Sequence, residues 1–260
     1  MLKKRLIFAL YYDAGAFYLS RNFRLQRVGD VRWLVDKFRF KSIGKFVDEL
    51  VILDVTRERY SGGCKDDRFA NALTYLMRET FVPLTIGGAL RSVHDVKRCF
   101  HLGADKVLFN TPVLSQAYLV QECVALFGAQ AVIAAIDVSR EGGNYVSRVD
   151  KAQAPGLPLV DHLQLAVKLG IGEVMVNSID QDGTGMGFDM EMVKQCSGLP
   201  VPLIVAGGAG KPEHFANVLA LPGVDAAVTG NLFNFIGKGF ESVSNYLLAK
   251  KLPVRCTSQF

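Results

Sequence analysis

Short apolar runs recur along the chain at 5–11, 49–54, 82–86, 106–109, 131–137, 173–178, 201–206 and 225–229. Runs of this length, bounded by glycines and polar residues, predict strands buried on both faces. Between most of them lie amphipathic stretches long enough for helices, such as DDRFANALTYLMRET, SVHDVKRCFHLG and PLVDHLQLAVKLG. The last two end on glycine, a common helix stop. Eight strands alternating with helices over residues 1–255 predict a single α/β domain, a (β/α)8 TIM barrel, with 256–260 as a C-terminal tail. An open doubly wound sheet shares the alternation and is the competing fold.

An internal repeat favours the barrel. TIGG at 85–88 recurs as VAGG at 205–208, and GADKV at 103–107 recurs as GVDAAV at 223–228, an offset of 120 residues. Earlier in each half the offset is 126, which pairs Tyr11 with Asp137 and Asp54 with Asp180. The chain therefore reads as two duplicated half-barrels, and neither half can bury its inner sheet face alone.

Composition adds limits. Half of the 260 residues are hydrophobic, enough for a large core, yet no apolar run reaches the ~18–20 residues of a membrane span. The opening MLKKRLIFAL reads as a first strand rather than a signal segment, because its short apolar run passes directly into Tyr12, Asp13 and Gly15. Five cysteines form no CxxC pair and no metal-ligand spacing, so we expect reduced thiols, a cytoplasmic setting, and neither metal nor cofactor. The net charge of +5 suits anionic small molecules, and the scattered Lys and Arg argue against a nucleic-acid binder.

Barrel chemistry sits at the C-terminal ends of the strands. Four such ends carry small or glycine-rich loops: TIGGALRS, FNTP, VAGGAGKPEH and VTGNLF. Glycines let backbone N–H groups approach an anion. Two repeat-related pairs suggest two phosphate sites, formed by Gly87, Gly88, Asn110 and Thr111 and by Gly207, Gly208, Gly230 and Asn231. Tight strand-to-helix turns are the plainer reading of the same loops. The strand LIFALYYDAG raises a different question: where VIAAIDVSREGG ends its apolar run in Asp137, it ends in Tyr11.

The pieces MLKKRLI, DELVILDVT, PLTIGGALRSVHDV, GADKV, AIDVSR, SIDQDGTGMGFD and GGAGKPEHF together resemble the cyclase subunit of imidazole glycerol phosphate synthase over nearly the whole length. The resemblance implies a barrel that binds a substrate with a phosphate at each end. It also implies a glutaminase partner, whose ammonia crosses the barrel to a lyase and ring-closing reaction at the mouth. Two carboxylates carry that chemistry in the family. Asp137 matches one, and Tyr11 stands at the other. Ala9 and Leu19 also depart, from a cysteine and a loop lysine, and Asn177 replaces a threonine. Asp54, Ser178, Asp180 and Asp182 remain as mouth residues.

At the other end, Arg5, Glu49, Lys106 and Glu173 stand at strand starts. Strand parity points them to the same side as Tyr11, Asn110 and Asn177. Two bases and two acids inside a narrow barrel should pair, since an unpaired buried charge is very costly. By resemblance they match the family's ammonia gate; a salt-bridged plug is the alternative. The partner interface would include Asp105. A complete gate beside a missing catalytic carboxylate resembles paralogues that supply ammonia to a sugar amidotransferase, converting an acetamido to an acetamidino group in bacterial surface glycans. A genuine cyclase of histidine biosynthesis and a phosphate-binding barrel without an ammonia role are the other expectations.

Overall fold

The computed structural model describes residues 3–38, 40–56, 67–148, 156–230 and 239–255. Eleven strands occur among them: β1 (Arg5–Asp13), β2 (Ala16–Arg21), β3 (Arg24–Gly29), β4 (Glu49–Asp54), β5 (Leu84–Gly87), β6 (Lys106–Phe109), β7 (Val132–Glu141), β8 (Asn144–Arg148), β9 (Glu173–Ser178), β10 (Leu203–Ala206) and β11 (Val224–Thr229). Eight pair in parallel in the order β1-β4-β5-β6-β7-β9-β10-β11, and β11 returns to β1 with Arg5 against Ala226 and Phe8 against Thr229. That last pairing removes both edges of the parallel sheet and closes a (β/α)8 barrel, so the open doubly wound alternative falls. The proposed tail 256–260 lies outside the described residues.

The outer faces of the strands, through Leu6, Phe8, Leu10, Leu50, Ile52, Val107, Val174 and Val176, pack under the helices in the main core. The helices form where the apolar spacing placed them, at Asp67–Glu79, Val93–His101 and Leu159–Lys168. Ser92 and Asp95 cap the second of these reciprocally: Ser92 Oγ accepts from Asp95 N, and Asp95 Oδ2 accepts from Ser92 N. A smaller core of Ile7, Ala9, Val51, Leu108, Ile133, Ala135, Met175, Ile204, Ala206, Ala226 and Val228 fills the barrel interior. No helix among the described residues is long and apolar enough to cross a membrane.

Strand register refines the repeat. Tyr11 lies against Leu53 and Tyr12 against Asp54, while Asp137 lies against Asn177 and Val138 against Ser178. Tyr11 and Asp137 are thus equivalent, as expected. Asp54, however, corresponds to Ser178 rather than to Asp180. Both β4 and β9 run six residues from an initial glutamate, and Asp180 lies beyond the strand end.

A histidine is buried in the core without compensation. His162, on the helix Leu159–Lys168, is 1% exposed, and neither ring nitrogen has a hydrogen-bond partner among the described residues. Burial pulls its imidazole down from 6.5 to about 4. Below pH 6.5 the unfolded chain therefore gains a proton that the folded chain refuses until pH approaches 4. Stability should fall across that window. Urea unfolding at pH 5 and pH 8 is expected to show a smaller difference for His162→Leu than for the natural chain. An equal difference would contradict this account.

Candidate functional site

The floor of the barrel is built from the first residues of four strands. Arg5 Nη1 donates to Glu49 Oε1 at 2.5 Å, and Arg5 Nη2 to Glu173 Oε2 at 2.8 Å. Lys106 Nζ donates to Glu173 Oε1 at 2.7 Å and to both Glu49 oxygens at 3.2 Å. Each base touches both acids, so the ring is closed, alternating and neutral. Burial alone would pull the Arg5 guanidinium down; hydrogen bonding to Glu173, with the charges of Glu49 and Glu173, more than reverses this and holds it above its ordinary value. Burial likewise works against ionised Glu173, yet Arg5 and then Lys106 hold its carboxyl below the usual range. Lys4 anchors the rim by donating from its ammonium to Val224 O.

Above this ring the inward positions are apolar. Strand alternation carries Arg5 to Ile7, Ala9 and Tyr11, and Glu173 to Met175 and Asn177. The intervening layers consist of the small interior core. Several of its members are alanines, and none presents a charge.

At the mouth the lining turns polar again. Asp137 accepts from Asn177 Nδ2 at Oδ1 (2.9 Å) and from Asn110 Nδ2 at Oδ2 (3.0 Å). Burial pushes its carboxyl up to about 6, opposed by the two amides and reinforced by the Asp182 charge. Tyr11 stands across the mouth on β1. Burial, then the charges of Asp182 and Asp137, raise its phenol far above the ordinary range, and hydrogen bonding to the Ser20 hydroxyl only partly opposes this. Position 11 is therefore a neutral phenol wherever the protein is folded near neutral pH.

The remaining candidates divide. The amide of Asn110 is committed to Asp137. Gly88 (φ +84°) and Gly208 (φ +101°) are demanded by packing: a Cβ there would stand 2.0 Å from Asp54 O and 1.9 Å from Gly187 O. Gly207 (φ +91°) meets Ser178 O at 2.6 Å in the same way, whereas at Gly87 the nearest atom is the Leu53 side-chain methyl at 2.7 Å. Thr111 opens a short helix after β6, Gly230 sits near the Tyr11 ring, and Asn231 lies outside the described residues. Asp54 accepts from Thr56 N and Asp180 from Arg140 N. Asp105 is exposed on the floor side, where one oxygen accepts from Leu84 N at 2.8 Å. Asp48 and Asp225 make the same bond to Leu6 N and Leu203 N, so each is tied to the preceding barrel strand. No cluster of metal-ligating side chains occurs among the described residues.

Comparison with known proteins places this geometry in a family. The model of the histidine biosynthesis protein family matches residues 38–238. A protein of Parasynechococcus marenigrum, provisionally assigned as imidazole glycerol phosphate synthase subunit hisF2, is 38% identical over 93% of this chain and 89% of its own. The imidazole glycerol phosphate synthase subunit HisF of Dehalococcoides mccartyi is 34% identical over 98% of this chain and 99% of its own. That of Micrococcus luteus is 36% identical over 90% and 91%. The chain belongs to the histidine biosynthesis protein family and is a HisF-like barrel. This agrees with the resemblance read from the motifs.

Two features of this HisF-like barrel escaped the strand pattern. After β1 the chain forms a hairpin, β2 and β3, and after β7 it forms β8. The Gly142–Gly143 turn was a legible hairpin signal. The Asn22–Phe23 turn was not, because both residues hold positive φ (50° and 58°) without glycine. Asp182 stabilises that turn: its carboxylate accepts from Ser20 Oγ (2.5 Å) and Phe23 N (3.0 Å), and its carbonyl accepts from Asn22 N (2.9 Å). The other hairpin is held by Tyr145 Oη to Asp189 (2.8 Å) and Arg140 to Glu191 (2.9 Å). Both hairpins thus fasten to the segment following β9. Leu19 points into the main core beside Phe17 and is 3% exposed, so an ammonium group there would be buried and unpaired.

The mouth makes a pH prediction. Asp137 should titrate near pH 6, by carboxyl-carbon NMR on the labelled protein. Asn177→Ala removes a donor to the carboxylate and should move the midpoint upward. A midpoint near 4, or a downward move in the variant, would contradict the assigned environment.

Proposed function

We propose that this HisF-like barrel delivers ammonia from a glutaminase subunit to a separate amidotransferase, and that its own cyclase activity is lost or weak. The observation that carries the reading is the contrast between its two ends. The charge ring on the floor is whole, whereas the equivalent of Asp137 in the first half-barrel is Tyr11. A ring-closing reaction needs protons moved at the substrate, and a phenol raised above its ordinary ~10 cannot exchange them near neutral pH. Of the two equivalent strand-end positions, only Asp137 is a carboxylate.

In this reading a glutaminase of the kind that serves HisF subunits docks against the floor, with Asp105 at the contact, and hydrolyses glutamine to glutamate and ammonia. Ammonia passes the ring of Arg5, Glu49, Lys106 and Glu173. The apolar layers favour the neutral molecule, since an ammonium ion would lose its hydration there without a partner. It leaves beside Tyr11 and Asp137. At the receiving enzyme ammonia attacks the acetamido carbonyl carbon of a sugar and the oxygen leaves as water, giving an acetamidino group for lipopolysaccharide or a related surface glycan. The setting would be cytoplasmic. A phosphorylated small molecule held by the mouth glycine loops fits the same barrel.

A genuine cyclase of histidine biosynthesis is the competing reading, favoured by Asp137, whose carboxyl near 6 suits acid–base work. Purified chain given the histidine-pathway intermediate and ammonium salt separates the two. Negligible turnover is expected, at least ~10²-fold below an authentic cyclase subunit; robust turnover would overturn the proposal. Lys106→Ala tests the conduit. It leaves two acids facing one base, and provided melting shows a folded protein, amidation from glutamine should fall while amidation from added ammonium survives. A ring that merely plugs the floor would leave the ratio of the two unchanged.

A further inference from the structure

Resting on that reading of the mouth as the ammonia exit, the geometry points to the outer edge of β3 as a docking strand for an acidic, extended segment of the protein that accepts the ammonia. Four observations carry this. First, β3 is the free end of the sheet: it pairs with β2 on one side, and no described strand lies on the other. Second, the hairpin closes with Arg21 against Arg24 around a two-residue turn, followed by Ser20 against Leu25, Leu19 against Gln26 and Tyr18 against Arg27. In such a ladder the backbone N–H and C=O of Leu25 and Arg27 turn outward, ready to bond an added strand.

Third, the arginines that look scattered in the sequence are gathered here. Arg21, Arg24 and Arg27 lie on the hairpin and Arg32 opens the next helix, Val31–Phe38; all four are exposed. None of the four forms an ion pair with a described residue. Carboxylates on an incoming strand would supply what the chain itself does not. Leu25 and Trp33, each 41% exposed, add apolar contact at the same place, which suits a polypeptide better than a polyanion of phosphates. Fourth, the strand is tied down beside the mouth. Asp182 grips the turn, Leu19 and Phe17 root β2 in the core, and Tyr18 lies against Tyr11. A partner on this edge would sit two strands out from Tyr11, on the hairpin that Asp182 ties back to the segment after β9.

Charges along an edge strand also serve to prevent aggregation, and the test separates the two roles. The probe is a ten-residue peptide alternating glutamate and threonine, with its lysine–threonine counterpart as control. Backbone amide exchange of the full chain is followed by NMR. The acidic peptide is expected to slow exchange at Leu25 and Arg27, the control is not, and Arg24→Glu/Arg27→Glu should weaken acidic-peptide binding at least about tenfold. No protection, or equal protection by both peptides, overturns the inference. A single-stranded oligothymidylate or anionic vesicles of phosphatidylglycerol that outcompete the acidic peptide for this edge would also overturn it. In the reconstituted amidation, the double variant should raise the concentration of acceptor enzyme needed for half-maximal rate while glutamine hydrolysis by the glutaminase continues. An unchanged requirement overturns the docking role alone and leaves the proposed conduit standing; failure of the natural chain to couple the two enzymes removes the conduit itself.

Discussion

Four charges inside the lower end of a closed barrel must neutralise one another, and much of this structure follows from that requirement. Removing an ion from water costs several kcal/mol even after relaxation, and only close, hydrogen-bonded opposite charges offset it. Arg5, Glu49, Lys106 and Glu173 meet the demand by standing at the first position of their strands at one level of the barrel. Once those four side chains face inward, the alternation of each strand sets the rest. Ile7, Val51, Leu108 and Met175 follow on the inside, and Tyr11, Asn110 and Asn177 reach the mouth. Floor and mouth are thus coupled by register, and a slip of one residue in any of these strands would break both.

The two half-barrels keep the same scaffold and diverge in chemistry. β1 and β7 carry Tyr11 and Asp137 at equivalent points, and each runs on into an antiparallel hairpin. In the second half the inward residue is a carboxylate cradled by two amides. In the first it is a desolvated phenol beside Ser20, with Asp182 bound to that serine and to the turn beyond it. Leu19 belongs to the same change, since it anchors the hairpin in apolar packing. The first half carries a buried phenol where the second carries a titratable carboxylate, beside a hairpin tied down by Asp182 and by Leu19.

How much of this could be read from the residues alone depends on the range of the interaction. The eight barrel strands were legible because runs buried on both faces are continuous and apolar; three runs, 49–54, 106–109 and 173–178, match strand limits to the residue. The charge ring was legible because a period of two carries parity from mouth to floor. The repeat showed Tyr11 opposite Asp137, but not that Ser178, rather than Asp180, answers to Asp54. That needed the pairing register, because a length change near the strand end cannot be placed by counting. The grip of Asp182 on the Asn22–Phe23 turn and the burial of His162 were invisible, since both join or enclose residues far apart in the chain. The arginine edge was hidden for the same reason: spacing along a hairpin is not spacing in space.

The central claim is that nitrogen crosses from floor to mouth without entering solution. Its most direct test is isotopic. The barrel, its glutaminase and the acceptor enzyme are given glutamine labelled with nitrogen-15 in the amide, together with a tenfold excess of unlabelled ammonium, and the amidinated sugar is weighed by mass spectrometry after a few turnovers. A protected passage predicts product carrying mostly nitrogen-15. Product whose label matches the bulk ammonium pool would contradict the account.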